Sequence, residues 1–351
     1  MRQITFAQAI LEATRQCMEE DPRVYLMGLG VPDPKGTFGT TLGLQEQFGD
    51  QRVFDIPTAE NGMTGIAIGS ALVGRRPIMT HQRVDFALLT LEQLFNQAAK
   101  WHYMFGGQAS VPLVIRMIIG RGWGQGPQHS QSLQALFAHI PGLITVMPTT
   151  PYDAKGLLVA AVRNNNPVMM LEHRWLYNIS GEVPEQIYEV SLSEPRVARV
   201  GQDITIVSTS YMTLEAFMAQ ELLAEQDISA EVIDVRTLAP LRASAIIDSV
   251  KKTGRLLVAD LGTRTCGYAA EIIALVCEAI ATEMKSPPRR ITAPDSPCPT
   301  SHALSQHYYP RAVDIANQVL AMLGREIRIA NPVGETSISL DIPDPSFKGP
   351  F

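Results

Sequence analysis

Cysteine is scarce in this chain, and its four cysteines stand alone at positions 17, 266, 277 and 298. No C-x-x-C pair occurs, so neither a zinc site nor a disulfide scaffold is implied. Cys277, within "IIALVCEAI", reads as a small buried apolar residue. Lysine- and arginine-rich runs are missing too, and the net charge is −6, so the electrostatic footprint of a nucleic-acid binder is absent. Nowhere do eighteen apolar residues follow one another, so no membrane span is expected. The start, "MRQITFAQAI", lacks the apolar core of a signal peptide. A reducing cytoplasm is the expected setting.

Several catalytic fingerprints are also missing. The stretch "GRGWGQGPQHSQS" (120–132) is dense in glycine, which costs backbone entropy and invites a phosphate-cradle reading. A dinucleotide fingerprint needs G-x-G-x-x-G, but the sixth position is Gln125 counting from Gly120 and Pro127 counting from Gly122. No G-x-x-x-x-G-K-[ST], G-x-S-x-G or H-E-x-x-H occurs. Phosphate-loop, serine-hydrolase and zinc-protease readings fall away.

What is present is an alternation of strand-like and helix-like segments. The length of 351 residues points to two domains, and 46% hydrophobic residues supply large cores. Apolar runs at 23–30, 52–57, 76–82, 111–119, 143–148 and 167–173 read as strands. Segments 5–20, 60–73, 88–100, 131–139 and 151–164 read as helices. Continuously apolar strands are buried on both faces, so the expected fold class is α/β, a parallel sheet covered by helices. Residues 176–200 break the rhythm. A second, smaller α/β domain follows, with strands at 203–210, 230–238, 255–262 and 289–295 and helices at 213–226, 243–252, 268–284 and 308–323. The division read from this is a first domain over 1–185, a linker over 186–199, a second domain over 200–325 and an extended arm over 326–351. The arm is too proline-rich for a helix and suits either contact with a neighbouring subunit or disorder.

In open parallel sheets, ligands bind beyond the carboxyl ends of the strands. Three such ends deliver reactive-looking residues: Glu60 from "DIPTAENG", His81, Arg83 and Phe86 from "MTHQRVDF", and His129 from "MIIGRGWGQGPQHS". Each has an ordinary structural role on its own. Glu60 in a first helical turn complements the macrodipole, and a lone Phe is usually core. On successive strand ends they read as one site. The helix beginning at Glu60 also carries Gly62, Gly65 and Gly69, each of which weakens an isolated helix by up to about 1 kcal/mol. Gly65 and Gly69 fall on one face, where a second helix can approach closely, within the domain or from a partner chain.

At these residues the chain resembles the β subunit of the thiamine-diphosphate-dependent decarboxylating component of 2-oxoacid dehydrogenase complexes, of the pyruvate dehydrogenase type. The resemblance runs over about 4–325 and rests on "DIPTAENGMTGIAIGSALVGRRPI", "LEQLFNQAAKWHYMFGGQASVPLVIR", "GPQHSQSLQALFAHIPGL", "PYDAKGLLVAAVRNNNPV" and "AEVIDVRTLAPL". It implies a pyrimidine-binding transketolase-like domain followed by a transketolase C-terminal-like domain. It implies that Glu60 hydrogen-bonds a ring nitrogen of the cofactor's aminopyrimidine, that Phe86 stacks on that ring, and that His129 works in the substrate cleft as a hydrogen-bonding or proton-transferring group. It also implies a structural K+ ion on the main-chain carbonyls of Leu113, Ala161, Val162, Asn164 and Asn166. A helix ending at "RNNNP" leaves carbonyl oxygens and a negative dipole end that favour a cation, although an asparagine-rich helix stop has the same sequence.

The family's G-D-G motif, which holds the diphosphate through Mg2+, is missing here. The resemblance therefore implies a separate α subunit that carries diphosphate and Mg2+, in an α2β2 assembly, with a lipoyl acyltransferase core as a further partner and a 2-oxoacid as substrate. Two positions depart from the family pattern. Leu29 and Gly30 replace the usual acidic residues, and His81-Gln82-Arg83 replaces a more apolar run before Phe86. Facing the cleft, His81 and Arg83 would bind a second anionic or hydroxylated group of the substrate. These departures keep open a transketolase-like or acyloin-forming ligase that passes a two-carbon or acyl unit to a sugar or aldehyde. A scaffold subunit without catalysis is the non-enzyme reading, and the joint presence of Glu60, Phe86 and His129 argues against it.

Overall fold

The computed structural model describes residues 2–120, 124–330 and 340–343. Arg121 and Trp123, whose role the sequence leaves open, lie outside them. The chain divides by contacts into two units. The first comprises 1–120, 136–193 and 237–240; the second comprises 121–135, 194–236 and 241–351. The glycine-rich stretch thus belongs largely to the second unit, although its sequence neighbours belong to the first.

The first unit is built on a seven-stranded sheet. Its order is Thr237–Ala239, Ile144–Val146, Val168–His173, Val114–Ile119, Arg76–His81, Val24–Gly28 and Val53–Phe54. All neighbouring pairs are parallel except Thr237–Ala239, which runs antiparallel at the edge. Every residue of the strands Val114–Ile119 and Val168–His173 is buried, as expected for strands covered on both faces, including the charged Arg116 and Glu172. Helices Phe6–Glu20 and Pro151–Arg163 pack against each other. Both start where the sequence caps them. Thr5 and Gln8 form a capping box, and the Thr150 hydroxyl accepts from the Asp153 N–H with Pro151 in the first turn.

The second unit holds a five-stranded sheet ordered Arg289–Ala293, Leu256–Thr263, Ile204–Ser208, Ala230–Asp234 and Arg196–Arg199. The first four are parallel and the last is antiparallel. Helices Tyr211–Ala224, Ser244–Thr253, Tyr268–Ile280 and Ala312–Met322 accompany it.

Several elements differ from the sequence reading. The expected helix over 88–100 is a 3-10 turn Leu88–Thr90, a π-helix Glu92–Ala98 and an α-helix Ala99–Met104. The stretch 176–200 that breaks the rhythm contains two strands. Ser180–Val183 pairs with Arg2–Thr5, and Arg196–Arg199 joins the second sheet. The run 230–238 is two strands serving two sheets. These strands are short and polar on one side, so period-based reading passes over them. Described residues of the arm lie on their own second unit. Arg311 Nη1 donates to the Leu340 and Ile342 carbonyls at 2.9 and 3.1 Å, and Asp341, 5% exposed, accepts from the Ser305 hydroxyl at 2.6 Å. Among the described residues, no helix is long and apolar enough to cross a membrane.

Candidate active site

Parallel order brings the carboxyl ends of the first unit's strands to one edge of the sheet. Glu60 opens the helix Glu60–Leu72 just beyond Val53–Phe54. The approach to it is held by Asp55, whose Oδ1 accepts from the N–H groups of Gly30 and Ile56 at 3.0 and 2.8 Å. Glu60 is 7% exposed, yet no hydrogen bond to its carboxyl is formed among the described residues. The rest of the side chain is covered, so its carboxyl is the part left available to an external ligand. Phe86, in the helix Val84–Ala87, presents the opposite case, because it is a large aromatic left 44% exposed.

His81 and Arg83 do not stand open to a cleft in the way the sequence reading expects. His81 is 3% exposed, and its Nε2 lies 3.4 Å from the hydroxyl of Thr64, one turn beyond Glu60 on the same helix. Burial pushes its imidazole down to about 4, so it is neutral at neutral pH. Gln82 donates to the Leu29 carbonyl at 2.7 Å. Arg83 is 4% exposed and its Nη1 donates to the Gly120 carbonyl at 2.7 Å. All three side chains tie neighbouring strand ends together.

The next strand ends add two residues that sequence reading passed over. His173 ends the strand beside Val114–Ile119, and Arg174 follows it. Burial, and then the charge of Arg83, push the His173 imidazole down to about 3. Gly120 has φ +80°, and a Cβ there would stand 2.4 Å from His173 Nε2. Only glycine meets both conditions. The strand-end rule that selects His81 in "MTHQR" selects His173 in "LEHRW" equally well.

Beneath this edge lies a buried ion pair. Arg116 and Glu172, 1% and 0% exposed, sit on the two central strands and make two bonds of 2.6 and 2.8 Å. Arg116 Nη2 also donates to the Thr40 hydroxyl at 3.0 Å, and the Tyr177 hydroxyl donates to Glu172 at 2.9 Å. The loop of Thr40 is held further by Phe38, which stacks on Tyr177 at 5.5 Å and carries the Arg174 guanidinium 3.9 Å from its ring centre.

His129 belongs to the second unit, in the 3-10 turn Pro127–His129, and is half-buried. Its neighbours Pro127, Gln128 and Ser130 line a cavity of about 610 Å³ with Thr263, Thr265 and Tyr308. Gly126 packs so closely on Thr300 that a Cβ would overlap its hydroxyl.

The carbonyls expected to hold K+ lie around the C-terminal end of Pro151–Arg163. The Val162 and Asn164 carbonyls accept from Arg76 Nε and Nη2 at 2.8 and 2.6 Å, and the Leu113 carbonyl accepts from the Val168 N–H at 2.9 Å. Asn164 Oδ1 caps the Asn166 N–H at 2.8 Å. Among the described residues, no cluster of three or more His, Cys, Asp or Glu side chains is arranged to hold a metal.

The pyrimidine-binding domain of transketolase matches residues 2–180, and the transketolase C-terminal domain matches 193–315. The β subunit of acetoin:2,6-dichlorophenolindophenol oxidoreductase from Cupriavidus necator is 42% identical over 325 residues, covering 90% of this chain and 96% of its own. This chain belongs to the transketolase-like family of 2-oxoacid dehydrogenase β subunits. The β subunit of the pyruvate dehydrogenase E1 component of Bacillus subtilis is 40% identical over 306 residues, covering 87% and 94% of the two chains. The 2-oxoisovalerate dehydrogenase β subunit of the same organism is 39% identical over 325 residues, covering 92% and 99%. A split-gene transketolase, solved as an inactive β4 tetramer, shares the fold with a TM-score of 0.73 at 21% identity, over 92% of this chain and 99% of that one. As a member of this family the chain is an enzyme subunit, its cofactor class is thiamine diphosphate, and a β subunit implies an α chain.

Proposed function

We propose that this β subunit completes a thiamine-diphosphate site with a separate α subunit, decarboxylates a small 2-oxoacid and passes the acyl unit to a lipoyl group. The observation that carries this reading is Glu60, a residue 7% exposed at a helix start whose carboxyl takes no hydrogen bond from the described residues. Its chemistry fits a heteroaromatic ring nitrogen, and the half-open ring of Phe86 fits the face of such a ring. When bound, thiamine diphosphate supplies the electron sink for loss of carbon dioxide. The chain's own work is narrower. Glu60 holds a proton at the pyrimidine end, Phe86 orients the ring, and His129 exchanges a proton or hydrogen bond with the substrate. The inward contacts of His81 and Arg83 support positioning of the strand ends, with Thr64 and Gly120 as their partners, rather than direct substrate binding.

The partner reading has support of its own. Of the helix glycines, Gly65 is packed by Gln93 of its own unit, where a Cβ would lie 3.3 Å from Oε1. A Cβ at Gly62 or Gly69, by contrast, would meet nothing within 4 Å among the described residues, and Ile66 is 59% exposed. The helix that starts with Glu60 thus leaves Gly62, Ile66 and Gly69 open to another chain. Mg2+ is assigned to the α subunit, which would carry the missing G-D-G. K+ is assigned to the carbonyls of Leu113, Ala161, Val162, Asn164 and Asn166, which are oxygen donors at the negative end of a helix and suit a monovalent cation. There it would share the Val162 and Asn164 oxygens with Arg76. Exchanging K+ for tetramethylammonium at constant ionic strength should then lower the melting temperature, and equal melting in both salts would refute this assignment.

The acceptor decides between the dehydrogenase and a ligase. The αβ pair given a 2-oxoacid should transfer the acyl unit to a lipoyl domain. Transfer to aldehydes alone would overturn the dehydrogenase reading.

A further inference from the structure

One buried acid of the second unit takes no part in the proposed chemistry. Asp260 lies near the end of the strand Leu256–Thr263 and is 1% exposed. It faces Gln134, which is fully buried and opens the short helix Gln134–Ala138, five residues after His129. Gln134 Nε2 donates to Asp260 Oδ1 at 2.7 Å, and the Thr209 hydroxyl donates to the same oxygen at 3.3 Å. The other two oxygens of the pair, Asp260 Oδ2 and Gln134 Oε1, are buried and have no hydrogen-bond partner. Glycine at 262 leaves room for the pair, since a Cβ there would lie 3.0 Å from Asp260 Oδ2 and 3.1 Å from Gln134 Nε2.

Two buried acceptors without a donor are costly, and a carboxylate is the costlier of the two. A single proton removes both deficits. Placed on Oδ2, it makes the carboxyl a donor toward Gln134 Oε1, while Gln134 Nε2 continues to donate to Oδ1. We propose that Asp260 is a positioning residue that stays protonated and closes an acid–amide pair with Gln134, fixing the segment that carries His129 to the second sheet. Its role in turnover rests on the reading that His129 works at the reacting centre.

Two further observations agree. Segment 121–135 is grouped with the second unit by its contacts, and the Gln134 pair is one of its attachments there. Burial also pushes the Asp260 carboxyl up, against the pull of the Gln134 bond. The ionisable neighbour is Tyr268 at the start of the next helix, itself raised by burial and then by Asp260, so it supplies no compensating positive charge.

The experiment uses the assembled αβ enzyme. Asp260→Asn presents the same donor and acceptor without an ionisable proton, so turnover and melting should stay close to the parent. Asp260→Ala strands the Gln134 oxygen and should lower turnover about ten- to a hundred-fold, the size expected for a buried group left without its donor. Difference infrared spectroscopy, parent minus Asp260→Asn, should show a protonated-carboxyl C=O band at neutral pH. That readout needs no turnover and no folded alanine variant. Absence of the band, or an asparagine variant that misfolds or is as impaired as the alanine one, overturns the proposal. Failure of the active-site reading is separate, since it would leave the band in place.

Discussion

Replacing Glu60 by alanine lowers turnover of the αβ enzyme about 10²–10⁴-fold, the range over which a positioned proton-transfer group acts. The size follows from what the carboxyl touches. It forms no hydrogen bond with the described residues, so its removal breaks no internal pair. What the fold loses is a favourable charge at a helix N-terminus, about 0.3–1 kcal/mol. Melting should therefore move little while chemistry collapses, and binding of the α chain should persist. Glu60→Gln keeps the shape but not the acid, and should be nearly as slow. A Glu60→Ala enzyme with unchanged kcat would mean that this edge of the sheet is not where the reaction occurs.

Replacing Arg116 by methionine has the largest expected effect on stability. The change leaves Glu172 0% exposed with its cationic partner gone. Breaking a buried pair in this way costs about 3–5 kcal/mol. For a unit of this size, each kcal/mol moves the melting temperature by roughly 2–4 °C, so a fall of about 6–20 °C is expected. The double variant Arg116→Met, Glu172→Gln should recover much of the loss, because no buried charge then remains. Tyr177 still finds an amide oxygen in place of the carboxylate it now donates to. If the single and double variants melt alike, the penalty comes from lost packing and not from a stranded charge. Catalysis should fall with the single change as well. The pair holds Thr40, and through Phe38 and Arg174 that loop is tied to the strand end beside Gly120.

Much of the first unit was legible before the structure. Its strands are continuously apolar because both faces are covered, and that pattern separates them from their helices. Glu60, His81, Arg83 and Phe86 could be placed at strand ends for the same reason. What could not be read was direction. His81 and Arg83 follow one another in sequence like residues delivered to a ligand, but their bonds go to Thr64 and Gly120. Side-chain orientation after a strand end depends on what the neighbouring strand offers, and no periodicity encodes it. The polar strands Ser180–Val183 and Arg196–Arg199 were hidden because each needs only one partner strand. The pair of Asp260 and Gln134 joins residues 126 positions apart, beyond the reach of any local signal.

The glycine-rich stretch gains a narrower meaning. Two of its glycines have steric causes: Gly120 makes room for His173, and Gly126 lies against Thr300. Neither cause involves a phosphate, in keeping with a diphosphate held by another chain.

That division of labour is the central claim, and one measurement tests it most directly. Thiamine diphosphate is titrated calorimetrically into this chain alone and into this chain mixed with an α subunit bearing G-D-G, in the presence of Mg2+. Saturable binding is expected only in the mixture. Tight binding by the isolated chain would contradict the account.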